Sequence, residues 1–100
     1  MKILALEHET PGVTAGQFHP HLKAEAQRVW ELYQQGVLRE LYFRQDQSCA
    51  VLVLECANLD EARQALDTLP LVREGLIAFE LIPLKPYPGF ARMFEGGSEC

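Results

Sequence analysis

VLRELYFRQDQSCAVLVLEC (residues 37–56) contains two apolar segments joined by a short polar loop. Residues 37–44 and 49–56 have the length and the aliphatic and aromatic content that favour β-strands, and RQDQS (residues 44–48) suits a hairpin loop. Both alternating faces of the second strand are apolar, which is typical of a strand that is covered on both sides. The first strand carries Arg39, Glu40 and Arg44, as an edge strand does. The stretch therefore predicts a hairpin that runs from the edge of a sheet to its centre.

The sequence around this hairpin alternates helical and strand patterns. KILALEH (residues 2–8) and GLIAFELIPL (residues 75–84) predict strands, and HLKAEAQRVWELYQQ (residues 21–35) and LDEARQALDTL (residues 59–69) predict amphipathic helices. Asn58 with Glu61 forms a capping-box pattern, and Pro70 ends the second helix. The order strand, helix, strand, strand, helix, strand predicts an α+β ferredoxin-like fold with a four-stranded antiparallel sheet. We expect one domain over residues 1–94 and a disordered tail over residues 95–100.

The two predicted helices can cover only one face of the sheet, although its central strands are apolar on both faces. The uncovered face would expose a large apolar patch to water. A second copy of the chain, packed sheet to sheet as a dimeric α+β barrel, is the interpretation that we favour. The alternative is that residues 87–94 fold back over this face.

Composition excludes several classes of partner. The net charge of −5 disfavours binding to nucleic acid and to anionic membranes, and no apolar run approaches the roughly 20 residues of a membrane-spanning helix. The N-terminus lacks the zones of a signal peptide. Cys49 and Cys56 bound one strand at a separation of about 23 Å and cannot form a disulfide with each other. We therefore expect a cytoplasmic protein.

Residues 36–89 resemble muconolactone isomerases and their relatives among the dimeric α+β barrel proteins. The resemblance rests on a glycine-ended helix and on the residues and short motifs that follow it, namely Arg39, Leu41, Tyr42, Glu55, Asp60-Glu61, Leu69-Pro70-Leu71 and Ile82-Pro83-Leu84. His19-Pro20-His21-Leu22 is similar to the histidine that opens the first helix in YCII-like proteins. The resemblance implies a small, often oligomeric protein, with proton-shift chemistry on small organic acids in the enzyme members.

Glu25 is the strongest candidate for catalytic chemistry. On a helical projection it falls within the apolar arc of the first helix, between Phe18 and Leu32, and His21 lies one turn away. A carboxylate on the buried side of a helix loses hydration, so its pKa should rise toward the range that suits general acid–base catalysis. The alternative is that Glu25 pairs with His21 or Arg28 and turns to solvent.

Arg39 and several aromatic residues are candidates for substrate binding. We expect Arg39 to share a strand face with Leu41 and Phe43, where it could bind a substrate carboxylate; an edge charge that prevents aggregation is the equal alternative. Aromatic side chains could line a ligand pocket or simply form the core (Trp30, Tyr33, Phe43 and Phe79).

His21 and Glu25 have the spacing of helical metal ligands, but the sequence offers no identifiable third ligand. We therefore expect neither a metal nor a cofactor.

The leading hypothesis is a homodimeric, or higher homo-oligomeric, isomerase that resembles muconolactone isomerase. Glu25 with His21 would shift a proton within a small carboxylate-bearing lactone or enol acid, and Arg39 would orient that substrate. The alternative from another class is a non-catalytic barrel that binds a small molecule or serves as an interaction module. A third hypothesis is cofactor-free oxygenation of an aromatic substrate near Trp30.

Overall fold

The computed structural model describes residues 1–94 and has the predicted order of elements. The strands are β1 (Lys2–Glu9), β2 (Leu38–Phe43), β3 (Ala50–Glu55) and β4 (Ile77–Leu84). The α-helices are α1 (Ala15–Phe18), α2 (Leu22–Gln34), α3 (Leu59–Leu66) and α4 (Pro70–Arg73), and 3-10 turns lie at His19–His21 and Gly89–Met93. The α+β ferredoxin-like prediction is confirmed. The predicted tail, residues 95–100, lies outside the described residues.

The four strands form one antiparallel sheet in the order β2-β3-β1-β4. The prediction that the hairpin of residues 37–56 runs from the edge of the sheet to its centre is therefore confirmed, with β2 at the edge and β3 next to the central strand β1. Ala5 of β1 pairs with Leu52 of β3 on one side and with Leu81 of β4 on the other. This register fixes which side chains share each face of the sheet.

The core lies between the helices and one face of the sheet. The strands contribute buried residues at alternate positions, namely Ile3, Ala5, Leu52, Leu54, Ile77 and Phe79. The helical layer adds Leu32, Ala62, Leu66, Leu69 and Leu71. Alternation in the strands and helical periodicity in α2 and α3 bring these apolar positions together.

The second helical region differs from its prediction at the C-terminal end. Helix α3 ends at Leu66, three residues before the predicted end, and Pro70 begins the separate helix α4. Proline suits the first turn of a helix because its missing N–H has no intrahelical partner there. Asn58 does cap α3: its side chain accepts the N–H of Glu61 at 2.8 Å, and the Glu61 carboxylate accepts the N–H of Ala57 at 3.2 Å.

The other face of the sheet, which we call the outer face, is left without a helical cover. Its half-buried apolar residues come from three strands, and they are Leu4, Leu6, Val51, Val53 and Ile82. The alternative that residues 87–94 fold back over this face is wrong, since Phe90 and Phe94 are 68% and 78% exposed. Within residues 1–94, no helix has both the length and the apolar character needed to cross a membrane.

Candidate functional site

A pocket of about 450 Å³ lies between helix α2 and the helix-covered face of the sheet. Its walls are mostly aliphatic and aromatic and are formed by residues that include Leu22, Ala26, Val29, Leu41, Phe43, Leu52 and Phe79. Two carboxylates, Glu7 and Glu25, also line it. This size and this apolar lining with few polar groups are typical of small-molecule sites.

Glu25 reaches the pocket from helix α2 and is held by a backbone hydrogen bond. The N–H of Leu71 donates to Glu25 Oε1 at 2.9 Å. Leu71 follows Pro70 in the first turn of α4, where backbone N–H groups have no intrahelical acceptor. The short helix α4 therefore fixes one oxygen of Glu25 at the pocket wall.

Burial raises the pKa of Glu25 above its usual value. The hydrogen bond from Leu71 opposes this rise because it stabilises the charged form. The negative charge of Glu7 raises the pKa of Glu25 further, and the charge of a protonated His21 lowers it. Desolvation dominates, so the carboxyl group of Glu25 is a stronger base than an ordinary glutamate.

The partners that the sequence offered to Glu25 behave differently in the structure. Arg28 donates to Glu31 and to the Thr68 hydroxyl, each at 2.8 Å, so the predicted alternative of a Glu25–Arg28 pair is wrong. His21 is half-buried in the 3-10 turn before α2 and lowers the pKa of Glu25 when it is protonated. Leu71 is the hydrogen-bond partner that the sequence did not indicate.

Glu7 is a pocket residue that the sequence analysis missed. It follows Ile3 and Ala5 at strand spacing, and both of these are fully buried on the helix-covered face. A carboxylate that continues such a series points to the same side. The spacing of positions 3, 5 and 7 was therefore the sequence signal that could have placed Glu7 on the helix-covered face. Burial raises the pKa of Glu7, as it does for Glu25.

Arg39 lies in a second pocket, of about 390 Å³, together with Trp30 and Tyr33. Leu41 lines this pocket with Arg39, whereas Phe43 lines only the first pocket, and the pairing of β2 with β3 shifts between Leu38 and Glu40. Such a bulge leaves an extra residue out of the alternation. The Nε of Arg39 donates to the carbonyl of Gly36 at 2.6 Å, which anchors the side chain.

The two pockets adjoin each other. Val29, Leu41 and Tyr42 line both of them. The structure therefore places Glu25 and Phe43 in one pocket and Arg39, Trp30 and Tyr33 in its neighbour.

The aromatic residues that were candidates for the pocket or the core differ in solvent exposure. Trp30 and Phe43 are 57% and 74% exposed, so they are not core residues, whereas Phe79 is 7% exposed and forms part of the pocket floor. The rings of Trp30 and Tyr33 stack with centroids 5.9 Å apart. The described residues contain no group of three or more His, Cys, Asp or Glu side chains that could hold a metal ion.

Comparisons with known proteins include two solved structures of similar fold and one family model. A crystal structure of muconolactone isomerase superimposes with a TM-score of 0.73 at 16% identity, over 89% of this chain and 93% of that chain. The 5-chloro-2-hydroxyhydroquinone dehydrochlorinase from Burkholderia phenoliruptrix, in complex with 2,5-dihydroxybenzoquinone, gives 0.69 at 16% identity, over 87% and 96% of the two chains.

These likenesses show a shared fold. Comparison with curated protein sequences gives no match. The family model for muconolactone delta-isomerase matches residues 5–89, which include every residue that lines the two pockets. The chain therefore belongs to the muconolactone delta-isomerase family.

Proposed function

We propose that the chain is an isomerase that shifts a proton within a small carboxylate-bearing lactone or enol acid. The observation that carries this proposal is Glu25, a half-buried carboxylate at the wall of an apolar pocket of about 450 Å³. A base of raised pKa in a water-poor site suits the removal of a proton from carbon.

The proposed reaction needs only proton transfers. Glu25 takes a proton from a carbon beside the unsaturated system, and the electron pair of the broken C–H bond delocalises toward the carbonyl group. The protonated Glu25 then returns a proton to a different carbon, so that the double bond moves and no atom is gained or lost. The Leu71 N–H stays bonded to one oxygen and orients the other toward the substrate.

Arg39 supplies the proposed anchor for the substrate carboxylate. The pocket of Glu25 is lined by two negative charges and would repel an anion, whereas the adjoining pocket contains the Arg39 guanidinium. A substrate can therefore place its carboxylate at Arg39 and its reacting carbon at Glu25. Trp30 and Tyr33 would flank the carboxylate end, and Phe43 the reacting end.

The names of the two structural neighbours are compatible with this chemistry. One is an isomerase of muconolactone, and the other removes hydrogen chloride from a chlorinated hydroquinone. Isomerisation moves a proton within a molecule, and dehydrochlorination removes one together with chloride. A base in an apolar pocket serves both reactions.

Assembly and compartment are part of the proposal. We propose that two copies pack through their outer faces, which would remove the half-buried apolar residues of both from water. Cys49 and Cys56 carry free thiols, which suits a reducing cytoplasm.

The test is the turnover of muconolactone by the wild-type protein and by Glu25→Gln. Glutamine keeps an oxygen that can accept the Leu71 N–H and removes the base, so we expect kcat/KM to fall by about 10²–10⁴ without loss of the circular dichroism spectrum. Glu31→Gln is the matched control, because Glu31 is an exposed glutamate of the same helix.

Full activity of Glu25→Gln would exclude the proposed role of Glu25. A wild-type protein that binds lactones and enol acids tightly but converts none of them would favour the non-catalytic binding module.

A further inference from the structure

Glu7 occupies a position where the fold favours an apolar side chain. It lies on the central strand β1 and pairs with Phe79 of β4, on the same face as Ile3 and Ala5. Its Oε1 accepts the backbone N–H of Ala50 at 2.9 Å. A carboxylate at such a position is costly to desolvate, so the hydrogen bond compensates for only part of the lost hydration.

Glu7 also lines two cavities of opposite character. One is the apolar pocket that contains Glu25. The other is a polar cleft of about 330 Å³ at the β2–β3 hairpin, whose lining includes His8, Glu9 and Arg44. Glu7 is thus the residue through which the apolar pocket and the polar cleft meet.

The charges around the two carboxyl groups couple their protonation. Burial raises the pKa of Glu7, the Ala50 N–H opposes the rise, Glu9 adds to it and His8 opposes it. The charge of Glu7 in turn raises the pKa of Glu25, which also senses His21. Arg44 and Cys49 face Glu7 from the hairpin side of the cleft. Glu7 and Glu25 therefore interact electrostatically across the pocket that both of them line.

We propose that Glu7 is the second proton carrier of the site and connects Glu25 to solvent through the polar cleft. A proton that Glu25 has taken from a substrate moves to the Glu7 carboxylate, directly or through one water molecule, and leaves into the cleft. A solvent proton returns by the same route in reverse, so charge and atoms balance and no co-reactant is needed.

The role of Glu7 in turnover rests on the proposed function, whereas the proton-sharing pair does not. The first experiment therefore uses no substrate. We would follow the titration of ¹³C-labelled glutamate carboxyl groups by NMR in the wild type, Glu7→Gln and Glu9→Gln. Glutamine at position 7 keeps an acceptor for the Ala50 N–H.

Glu9 is the matched control, because it lies on the same strand and in the cleft but does not line the apolar pocket. We expect Glu25 to titrate at lower pH in Glu7→Gln and to shift much less in Glu9→Gln, because Glu9 acts on Glu25 only through Glu7. Glu7→Asp, which restores a titratable group, should recover part of the coupling. If Glu25 titrates at the same pH in Glu7→Gln as in the wild type, the two carboxyl groups are not coupled and the proposal is overturned.

The second experiment measures solvent deuterium in the product when muconolactone is converted in D₂O. We expect product from Glu7→Gln to carry less deuterium at equal conversion than product from the wild type, with a smaller loss of kcat than in Glu25→Gln. Equal deuterium content would overturn the proton route. If Glu25→Gln stays active, the proposed function fails instead, so the two failures differ. If the wild type does not convert muconolactone, the titration alone decides on the pair.

Discussion

Leu4→Lys tests whether the outer face of the sheet is an interface between two copies. Leu4 is half-buried on the central strand β1, and its cross-strand neighbours are Val53 and Ile82, both apolar. A lysine at this position therefore has no acidic residue directly opposite it. In an isolated chain its ammonium group would stay in water, whereas in a sheet-to-sheet dimer it would be buried.

The size of the effect follows from the sheet geometry and from symmetry. Four strands of six to eight residues present a face of roughly 19 by 23 Å, on the order of 450 Å² in projection. In a two-fold dimer one substitution places two ammonium groups in the interface. The burial of each ammonium group costs about 2 kcal/mol, after allowance for the reach of the lysine side chain toward water. The free energy of dimerisation is therefore weakened by about 4 kcal/mol. The dimer dissociation constant should rise about 10³-fold.

Sedimentation velocity at micromolar concentration measures this change. We expect the wild type to sediment as a dimer, or a multiple of it, of the 11.3 kDa chain and Leu4→Lys to sediment as a monomer. Gln64→Lys, at an exposed position of α3, makes the same change in charge and should leave assembly unchanged. A wild-type monomer, or a Leu4→Lys variant that associates like the wild type, would refute the reasoning.

Three further predictions concern the pockets. Arg39→Met should raise KM for muconolactone with little change in kcat, and its effect should vanish for a methyl ester of the substrate, as steady-state kinetics would show. Glu25→Ala should lower the free energy of unfolding by about 1–3 kcal/mol relative to Glu25→Gln, because it leaves the Leu71 N–H without its acceptor; urea denaturation measures this difference, and equal stability would contradict it. The pKa values of Glu7 and Glu25 are raised from 4.5 in the folded state, so their contribution to stability is present below that pH and is lost as the pH rises through the folded values. The double variant Glu7→Gln, Glu25→Gln should therefore gain stability relative to the wild type above pH 4.5, in thermal melts across that range.

The fold was predictable because each element has its own periodicity in the sequence. Strands β1 and β3 carry apolar side chains on both of their faces, and α2 carries its apolar residues at helical spacing. The order of elements therefore follows without knowledge of any contact. The end of α3 did not follow. Proline at position 70 indicates where a helix cannot continue, but it does not show that the chain turns earlier, after Leu66, and begins a new helix at that proline.

The site was predictable only where it depends on one element. Glu25 could be placed from helical periodicity within α2 alone, and Glu7 could have been placed from the alternation of β1. The position of Arg39 depends on how β2 pairs with β3, because the bulge between Leu38 and Glu40 removes Arg39 from the strand alternation. The bond from Leu71 to Glu25 joins residues 46 positions apart and leaves no trace in either local pattern.

The carboxylates of Glu7 and Glu25 provide a way to distinguish three interpretations of the pocket: a catalytic site, a packing defect and a simple binding site. Leucine or methionine at positions 7 and 25 would fill the apolar pocket without any desolvation cost, so the carboxyl groups oppose stability. A binding module would recover that cost only from a ligand that donates hydrogen bonds or carries positive charge. A base for a carbon acid needs neither, since it meets a C–H group and gains its strength from poor hydration. A pocket that prefers cationic or donor-rich ligands would indicate a binding module. A pocket that prefers apolar lactones with a carboxylate at Arg39 would indicate the proposed isomerase, and binding assays can decide between the two before turnover is measured.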